Sequence, residues 1–356
     1  MPTPAASIAV AHQRQWHALG MLCALGLGLA PIAPEVCAAL RTLVGADAAA
    51  LFWLDAQGRP EGFFHEDSPA EVQDLFLNEF ERLFAGPGEV NVHTLARADG
   101  PRIGRLMAPD AQYLRSNSYN LLVRASGHQH TLDLRVEAGG RTRAIAMLFR
   151  ASGAGFTDQD AVLLERASGW LARAFAGPLA SLPSQVSPAS PVGHVVLDAA
   201  GQRPLFADEA AAQLLRQANL PGLGLHAAAH VALPPDLRGR LGVARPGDSA
   251  RIAVPGGWLD ASLSTLHPLA GGTAQHLVTL RLQRASGAHV VARVLALPLS
   301  PLQREIAVLA GLGHARADSL RLAGVGEAAL KKHLRAIFAA TGASDWDDLA
   351  RWLQAS

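Results

Sequence analysis

The chain has 356 residues, of which 49% are hydrophobic and 17% charged, and its formal net charge is +1. This apolar fraction is that of a folded protein, so extensive disorder is excluded, and the length predicts two or three domains. Because the net charge is close to zero, the protein as a whole has no basic field that would draw it to nucleic acid. Any such function must reside in a local patch.

The sequence of the N-terminal region is typical of buried helices rather than of a targeting signal. Residues 16–33 are strongly apolar, but His17, Pro31 and several glycines make the run too short and interrupted to span a bilayer. The only two cysteines, Cys23 and Cys37, provide neither a disulfide framework nor zinc-ligand spacing. We therefore expect a cytoplasmic protein with no membrane role, and both cysteines buried in N-terminal helices.

Residues 1–176 show the mixture of strand and helix patterns that is typical of an α+β domain. Helices are predicted near 9–28, 33–44, 70–84, 110–124 and 156–175, and strands at 47–55, 61–65, 130–137 and 142–150. Turn residues at 56–58 and 139–140 join neighbouring strands into hairpins. Thr157 is the predicted N-cap of the closing helix, with Asp160 in its first turn.

This half of the chain resembles the GAF sensor domain over about 33–176. The resemblance rests on the two hairpins and on the closing F-T-D-Q-D-x-x-L-L-E motif at 156–165. It implies a small-molecule effector pocket between sheet and helices, for which we predict the lining residues Phe52, Phe64, Tyr119, Leu132 and Phe149. The alternative is a filled core that serves only dimerisation. Such a fold could also hold haem or flavin, but no residue selects a cofactor.

A second sheet domain is predicted after a linker. Residues 177–191 contain four prolines and four serines, which predicts an exposed linker. Beyond it, the patterns predict strands at 194–197, 204–206, 250–254, 258–266 and 275–283, and a helix at 207–215. Residues 192–285 resemble a PAS domain, with Asp208 near the point where that family often has Asn. The alternative is another small α+β domain without a ligand.

The C-terminal residues 296–356 predict four helices. Ser300, Pro301 and Gln303 form a capping-box start for the first, which ends at the glycines 311 and 313. The following helices are predicted at 315–322, 327–341 and 346–353. A tight turn at 324–326 separates the second helix from the third, as in a helix-turn-helix.

The third of these helices has a cationic outer face. On a helical wheel, Leu330, Leu334 and Ile337 share one arc and are predicted to face the core. The opposite arc carries Lys331 and Lys332, the only two lysines of the chain, with Arg335 and Ala328. A cationic face of this kind suits phosphates and the major groove. The alternative is a solvated charged face.

Residues 299–353 resemble the LuxR-type DNA-binding domain. The matching segments, at the family's spacing, are Leu299-Ser300-Pro301, Arg304-Glu305-Ile306, Gly313, Gly324-Val325, Leu330-Lys331-Lys332-His333-Leu334 and Thr341-Gly342-Ala343-Ser344. The resemblance implies that 327–340 enters the major groove and that 346–353 helps to form a dimer. We predict DNA contacts from Lys331, Lys332, Arg335, Ala328 and His333.

Enzyme motifs are absent from the sequence. It contains no G-x-S-x-G, no H-E-x-x-H and no phosphate-binding P-loop. His128 and His130 have the spacing of a metal pair at a strand start, but the sequence suggests no third ligand. We therefore predict no catalytic residue and no metal site.

These patterns predict an α+β protein in which two antiparallel-sheet sensor domains, GAF-like and PAS-like, precede an all-α four-helix helix-turn-helix domain. The predicted function is that of a homodimeric one-component bacterial transcription regulator. Its partners would be double-stranded DNA, a small-molecule effector and RNA polymerase. The alternative is an interaction or dimerisation protein whose helix-turn-helix no longer binds DNA. It is motivated by Gly326 and Ala329, which replace the family's Ser and Thr, and by the seven basic against six acidic residues of 299–356.

Overall fold

A computed structural model describes residues 4–97, 99–177, 191–220, 233 and 236–355, with the side chains of 4–12 left undescribed. In these ranges the protein is mixed α+β, with two antiparallel sheets and a helical C-terminal region. The described part of the chain contains no helix that is both long and apolar enough to cross a membrane.

The first sheet has four antiparallel strands in the order β2-β1-β4-β3. These strands are β1 (Ala48–Leu54), β2 (Pro60–His65), β3 (His130–Ala138) and β4 (Arg141–Arg150). Two helices, α2 (Ala33–Val44) and α6 (Asp158–Arg173), pack on one face, and α1 (Pro4–Ala24) packs against both of them. The other face is covered by the short helices α3 (Ala70–Asn78), α4 (Phe80–Leu83) and α5 (Val92–Leu95), a 3-10 turn (Tyr113–Arg115) and a π-helical segment (Ser118–Val123).

Alternation along the strands divides the apolar side chains of the first sheet between two cores. Leu51 and Leu148 pack towards α2 and α6. Their chain neighbours Phe52 and Phe149 point to the opposite face, where Phe52 lies directly across from Phe63 of β2. The sheet therefore has one face in a large helical core and one in an aromatic cluster.

The second sheet has five antiparallel strands in the order β6-β5-β9-β8-β7. They are β5 (Val192–Leu197), β6 (Pro204–Ala207), β7 (Ser249–Val254), β8 (Gly257–Leu266) and β9 (Gln275–Arg284), with α7 (Glu209–Ala218) and α8 (Leu237–Arg240) beside them. Helix α7 approaches β5 so closely that a Cβ at Gly193 would lie 2.5 Å from Cα of Ala211, which explains the glycine. Asn219, at the left-handed end of α7, donates to the carbonyl of Phe63 at 3.1 Å and ties this sheet to the first.

Five helices complete the chain: α9 (Ser286–Ala296), α10 (Pro301–Gly311), α11 (Arg316–Ala323), α12 (Glu327–Thr341) and α13 (Trp346–Gln354). Helix α10 is central, because it packs against α9, α11, α12 and α13. Its start is fixed by the predicted capping box, in which Ser300 and Gln303 exchange side-chain to backbone hydrogen bonds. The apolar core formed by these helices is continuous with the core between the first sheet and α1, α2 and α6.

Besides the short helices α5 and α8, which were not predicted, the predicted elements differ from the observed ones in three places. The helix predicted near 110–124 is wrong, because Ser116 has an extended backbone (ψ 157°) that separates the 3-10 turn from the π-helical segment. The helix predicted at 70–84 divides into α3 and α4 at Glu79. Helix α9 was not predicted. Of the predicted linker 177–191, residues 178–190 lie outside the described part of the chain.

Candidate functional site

The first candidate site is the outer face of α12. Leu330, Leu334 and Ile337 are buried, which confirms the predicted core stripe. Lys331 and Lys332 are exposed on the other side of the helix, as the wheel predicts. The helix follows α11 after only three residues, and Gly324 takes the left-handed conformation (φ 65°) that ends α11.

The remaining predicted contact residues of α12 differ in exposure. Arg335 and Ala328 are exposed and His333 is half-buried. Among the described residues, no acidic side chain forms an ion pair with Lys331, Lys332 or Arg335. These three cations are therefore available to an outside anion.

The start of α12 lacks a side-chain cap. Gly326 is at the N-cap with extended backbone (φ −78°, ψ 163°), and a Cβ placed there would meet nothing within 4 Å. Glu327 in the first turn lies 3.4 Å from the guanidinium of Arg316, an exposed pair between α12 and α11. The first backbone N–H groups of α12 consequently have no side-chain acceptor from the N-cap.

Helix α13, which the sequence resemblance assigns to dimerisation, packs within the chain on one side. Leu349 and Leu353 are buried against α10 and α9. The indole N–H of Trp346 donates to the carbonyl of His314 at 2.9 Å. Contacts with a second copy through α13 would therefore use its remaining face.

The second candidate site is a cavity beneath the aromatic face of the first sheet. Phe52 and Phe149 line it as predicted, and Tyr119 packs against the same aromatic cluster. The predictions for Phe64 and Leu132 are wrong, because both side chains point to the opposite face of the sheet. The sequence reasoning missed other lining residues: Phe63, His65, Phe76, Tyr113 and Met147.

This cavity is small. Its volume is about 60 Å³, which is room for a few water-sized groups. Sites for organic effectors have about 300–1,000 Å³. The cavity as it stands thus suits only a ligand of a few atoms, and the predicted effector pocket is largely filled by aromatic rings.

A larger groove of about 830 Å³ lies between α1, α6 and α10. Arg14, His17 and Arg304 line it, and Glu305 is its only carboxylate among the described lining residues. Among the described residues, the Nε2 atom of His17 and the Nε atom of Arg304 have no hydrogen-bond partner, and both atoms are buried. Burial lowers the pKa of the Arg304 guanidinium, and the nearby cation of Arg14 lowers it further. An anionic ligand would satisfy these groups.

The third candidate site is a group of three polar residues that the sequence does not bring together. His65 ends β2, Asp67 follows it in the loop, and His128 precedes β3. The Oδ1 atom of Asp67 lies 3.1 Å from Nε2 of His128 and 3.3 Å from Nδ1 of His65. No sequence pattern signals this group, since its members come from distant strands.

Comparison with known proteins identifies no family. No protein-family model and no curated protein matches the chain. Among solved structures, the complex of E. coli DhaR(N) with DhaL matches at 14% identity and a TM-score of 0.19, covering 79% of this chain and 91% of that one. The sensor region of a sensor histidine kinase matches at 13% identity and a TM-score of 0.19, covering 79% of this chain and 93% of that one. At these scores neither similarity carries an argument about fold or function.

Proposed function

We propose that the chain is a DNA-binding transcription regulator in which α11 and α12 form a helix-turn-helix and α12 enters the major groove. The observation that carries this proposal is the outer face of α12. There Lys331, Lys332 and Arg335 are exposed and have no carboxylate partner in the described part of the chain, while the opposite stripe of the same helix is buried. Cations held on a rigid helix can neutralise phosphates or donate to guanine.

The rest of the fold is compatible with sensory control of such a domain. Two antiparallel sheets with helices beside them are compatible with the two sensor domains that the sequence resemblances predict. Because one continuous core joins the first sheet to the terminal helices, a change on the sheet side can reach α12 through packed elements.

The test is binding to a duplex of mixed sequence at several salt concentrations, with the full-length protein. The Lys331→Ala/Lys332→Ala double variant should bind more weakly and lower the slope of log affinity against log salt by about 1.8, since each phosphate contact releases about 0.9 counterion. The matched control is Arg115→Ala/Arg124→Ala, which removes two exposed cations from the first α+β region. This control should keep the wild-type slope.

Equal affinity and equal slope for both double variants would overturn the proposal. The chain would then be better explained as an interaction protein that uses its terminal helices as a dimer or partner surface. The specific observation in favour of that second candidate is the uncapped start of α12, because Gly326 has no hydroxyl to offer a phosphate. Sedimentation equilibrium of the wild type would measure the dimer directly.

We place the effector in the groove between α1, α6 and α10, because it has the volume of a ligand site and contacts both halves of the regulator. Its cations predict an anionic ligand, with inorganic phosphate as the simplest probe. Phosphate should raise the melting temperature of the wild type, and Arg304→Gln should reduce that rise. An identical rise in both proteins would exclude the groove as the site.

A further inference from the structure

The group formed by His65, Asp67 and His128 is held on a rigid support. Phe149 on β4 packs against both imidazoles, with its ring centre 4.8 Å from that of His65 and 5.0 Å from that of His128. The side chain of His128 is only 3% exposed and that of His65 only 8%, whereas that of Asp67 is 49% exposed. Two buried nitrogen ligands and one accessible carboxylate thus converge at the edge of the first sheet.

The hydrogen bonds around His65 leave the lone pair of its Nδ1 atom facing an Asp67 carboxylate oxygen, which is also an acceptor. Its Nδ1 accepts the backbone N–H groups of Asp67 and Ser68 at 3.4 and 3.2 Å, so this nitrogen carries no proton. The Asp67 carboxylate oxygen nevertheless lies 3.3 Å from the same nitrogen. Two acceptors at this distance repel each other unless a proton or a metal ion lies between them, and a metal ion would take the Nδ1 lone pair from these two long N–H contacts.

His128 presents a second anomaly. Its Nε2 faces the same Asp67 oxygen, but its Nδ1 is buried without any hydrogen-bond partner in the described structure. Nε2 is therefore the nitrogen that His128 can offer to a cation beside Asp67, and Nδ1 stays buried on the other side of the ring.

We propose that His65 Nδ1, Asp67 and His128 bind a divalent first-row transition metal ion, with Zn²⁺ as the reference ion. The three ligand atoms lie within 4.8 Å of one another. Ligands at about 2.0–2.1 Å from a tetrahedral ion are separated by about 3.3 Å. The two distances from Asp67, 3.1 and 3.3 Å, agree with this value. Two imidazoles with one carboxylate favour such ions over Mg²⁺ or Ca²⁺, which prefer oxygen ligands.

The exposed side of Asp67 leaves a coordination position open. Three protein ligands with one open position are the arrangement of zinc sites that accept water or a further ligand. His65 also lines the small aromatic cavity, together with Ser68 and Ser126, whose hydroxyl oxygens are 3.2 Å apart. A ligand of a few atoms in that cavity would therefore be a neighbour of the metal ion.

The test uses untagged full-length protein treated with a chelator and then dialysed. Titration with Co²⁺ should produce visible ligand-field absorption that saturates at one ion per chain, and Zn²⁺ should abolish this absorption by displacement. The buried Cys23 and Cys37 are not expected to compete, since their thiols are inaccessible.

Variants decide whether these three residues are the ligands. Asp67→Asn, a change at a half-exposed side chain, should weaken Co²⁺ binding at least tenfold without loss of folding. His128→Ala should abolish binding, with circular dichroism used to confirm that the variant folds. His130→Ala is the matched control, two residues from His128, and should bind as the wild type does.

The proposal is overturned if the wild type gives no saturable absorption, or if Asp67→Asn binds Co²⁺ as tightly as the wild type. It is also overturned if His130→Ala and His128→Ala lose binding equally. The measurements contain no DNA, so their result is independent of the proposed function.

Discussion

The guanidinium of Arg293 lies 4.1 Å from the centre of the Trp352 ring. Arg293 belongs to α9, directly after the second sheet, and Trp352 belongs to α13 at the end of the chain. The same guanidinium donates to the carbonyl of Ala355, just beyond α13. Helix α9, which was not predicted from the sequence, therefore connects the end of the terminal helices to the second sheet.

Replacing Arg293 should loosen this attachment. Arg293→Ala removes a cation–π contact, which is worth about 0.5–1 kcal/mol at exposed sites, together with the hydrogen bond to the carbonyl of Ala355. We expect a loss of about 1 kcal/mol in the free energy of unfolding, measured by urea denaturation. Arg284→Ala, at an exposed arginine that ends β9, is the control and should change stability by less than about 0.5 kcal/mol. Equal losses in the two variants would contradict an anchoring role for Arg293.

Replacing two helical glycines by alanine should change the stability of the protein in opposite directions. A Cβ at Gly311 would lie 2.4 Å from Cγ1 of Val290 and 3.1 Å from Cβ of Leu353, so Gly311→Ala should destabilise by about 1–3 kcal/mol through overpacking. Gly169 is exposed in α6 with nothing within 4 Å, so Gly169→Ala should stabilise by about 0.5–1 kcal/mol. Thermal melts of both variants test the pair. A stabilising Gly311→Ala would mean that α9, α10 and α13 do not meet as described.

Regular patterns made much of the fold predictable. Strands follow from apolar residues at every second position, and the stripe of Leu330, Leu334 and Ile337 follows from the helical period of 3.6 residues. The observed strands and helix begin and end close to the predicted residues. The predictions of Phe64 and Leu132 as cavity-lining residues were wrong because they did not follow this alternation. Phe52 and Phe149 point to one face, and Phe64, one residue after the cavity-lining Phe63, must point to the other.

The candidate metal ligands were not predictable from the sequence because tertiary structure alone brings them together. His128 is 61 positions from Asp67, and the two meet only once the sheet has formed. The spacing of His128 and His130 was noted in the sequence, but spacing within one strand does not show which residues of a distant loop lie near it. Helix α9 was missed for a different reason, since it begins with Ser286-Gly287, a dipeptide that is typical of a turn, and has no side-chain cap.

The buried Asp133 should make stability depend on pH. Burial raises the pKa of the Asp133 carboxyl above its ordinary value, although the hydrogen bond from the backbone N–H of Leu106 opposes the effect. Because the pKa is higher in the folded state than in the unfolded chain, the ionised carboxyl destabilises the fold at neutral pH. This penalty disappears as the pH falls through the folded pKa towards the unfolded value near 3.9.

Asp133→Asn keeps an oxygen acceptor for Leu106 but removes the buried charge. We therefore expect the variant to melt at a higher temperature than the wild type at pH 7, with the difference shrinking as the pH approaches about 4. Asp99→Asn, at an exposed position, corrects for the loss of one negative charge. A difference between wild type and Asp133→Asn that stays constant across this pH range would show that the carboxyl is not destabilising when ionised.

Finally, Gly326→Ser should improve both the start of α12 and its proposed binding to DNA. The extended backbone at Gly326 is that of an N-cap, and there is free space for the new side chain. A serine oxygen can accept a hydrogen bond from an N–H group of the first turn, which should stabilise the fold by a few tenths of a kcal/mol relative to glycine.

In the proposed complex the turn faces DNA, and the serine hydroxyl can then also donate to a phosphate, worth about 0.5–1.5 kcal/mol. The hydroxyl carries no charge, so affinity should rise while the salt slope stays unchanged. Gly326→Ala has the same backbone restriction without the hydroxyl and should show neither gain. The two measurements are urea unfolding and binding to the mixed-sequence duplex. A serine variant that is more stable but binds DNA no better would place the turn away from the phosphates, whereas equal gains in the alanine variant would exclude the hydroxyl as their cause.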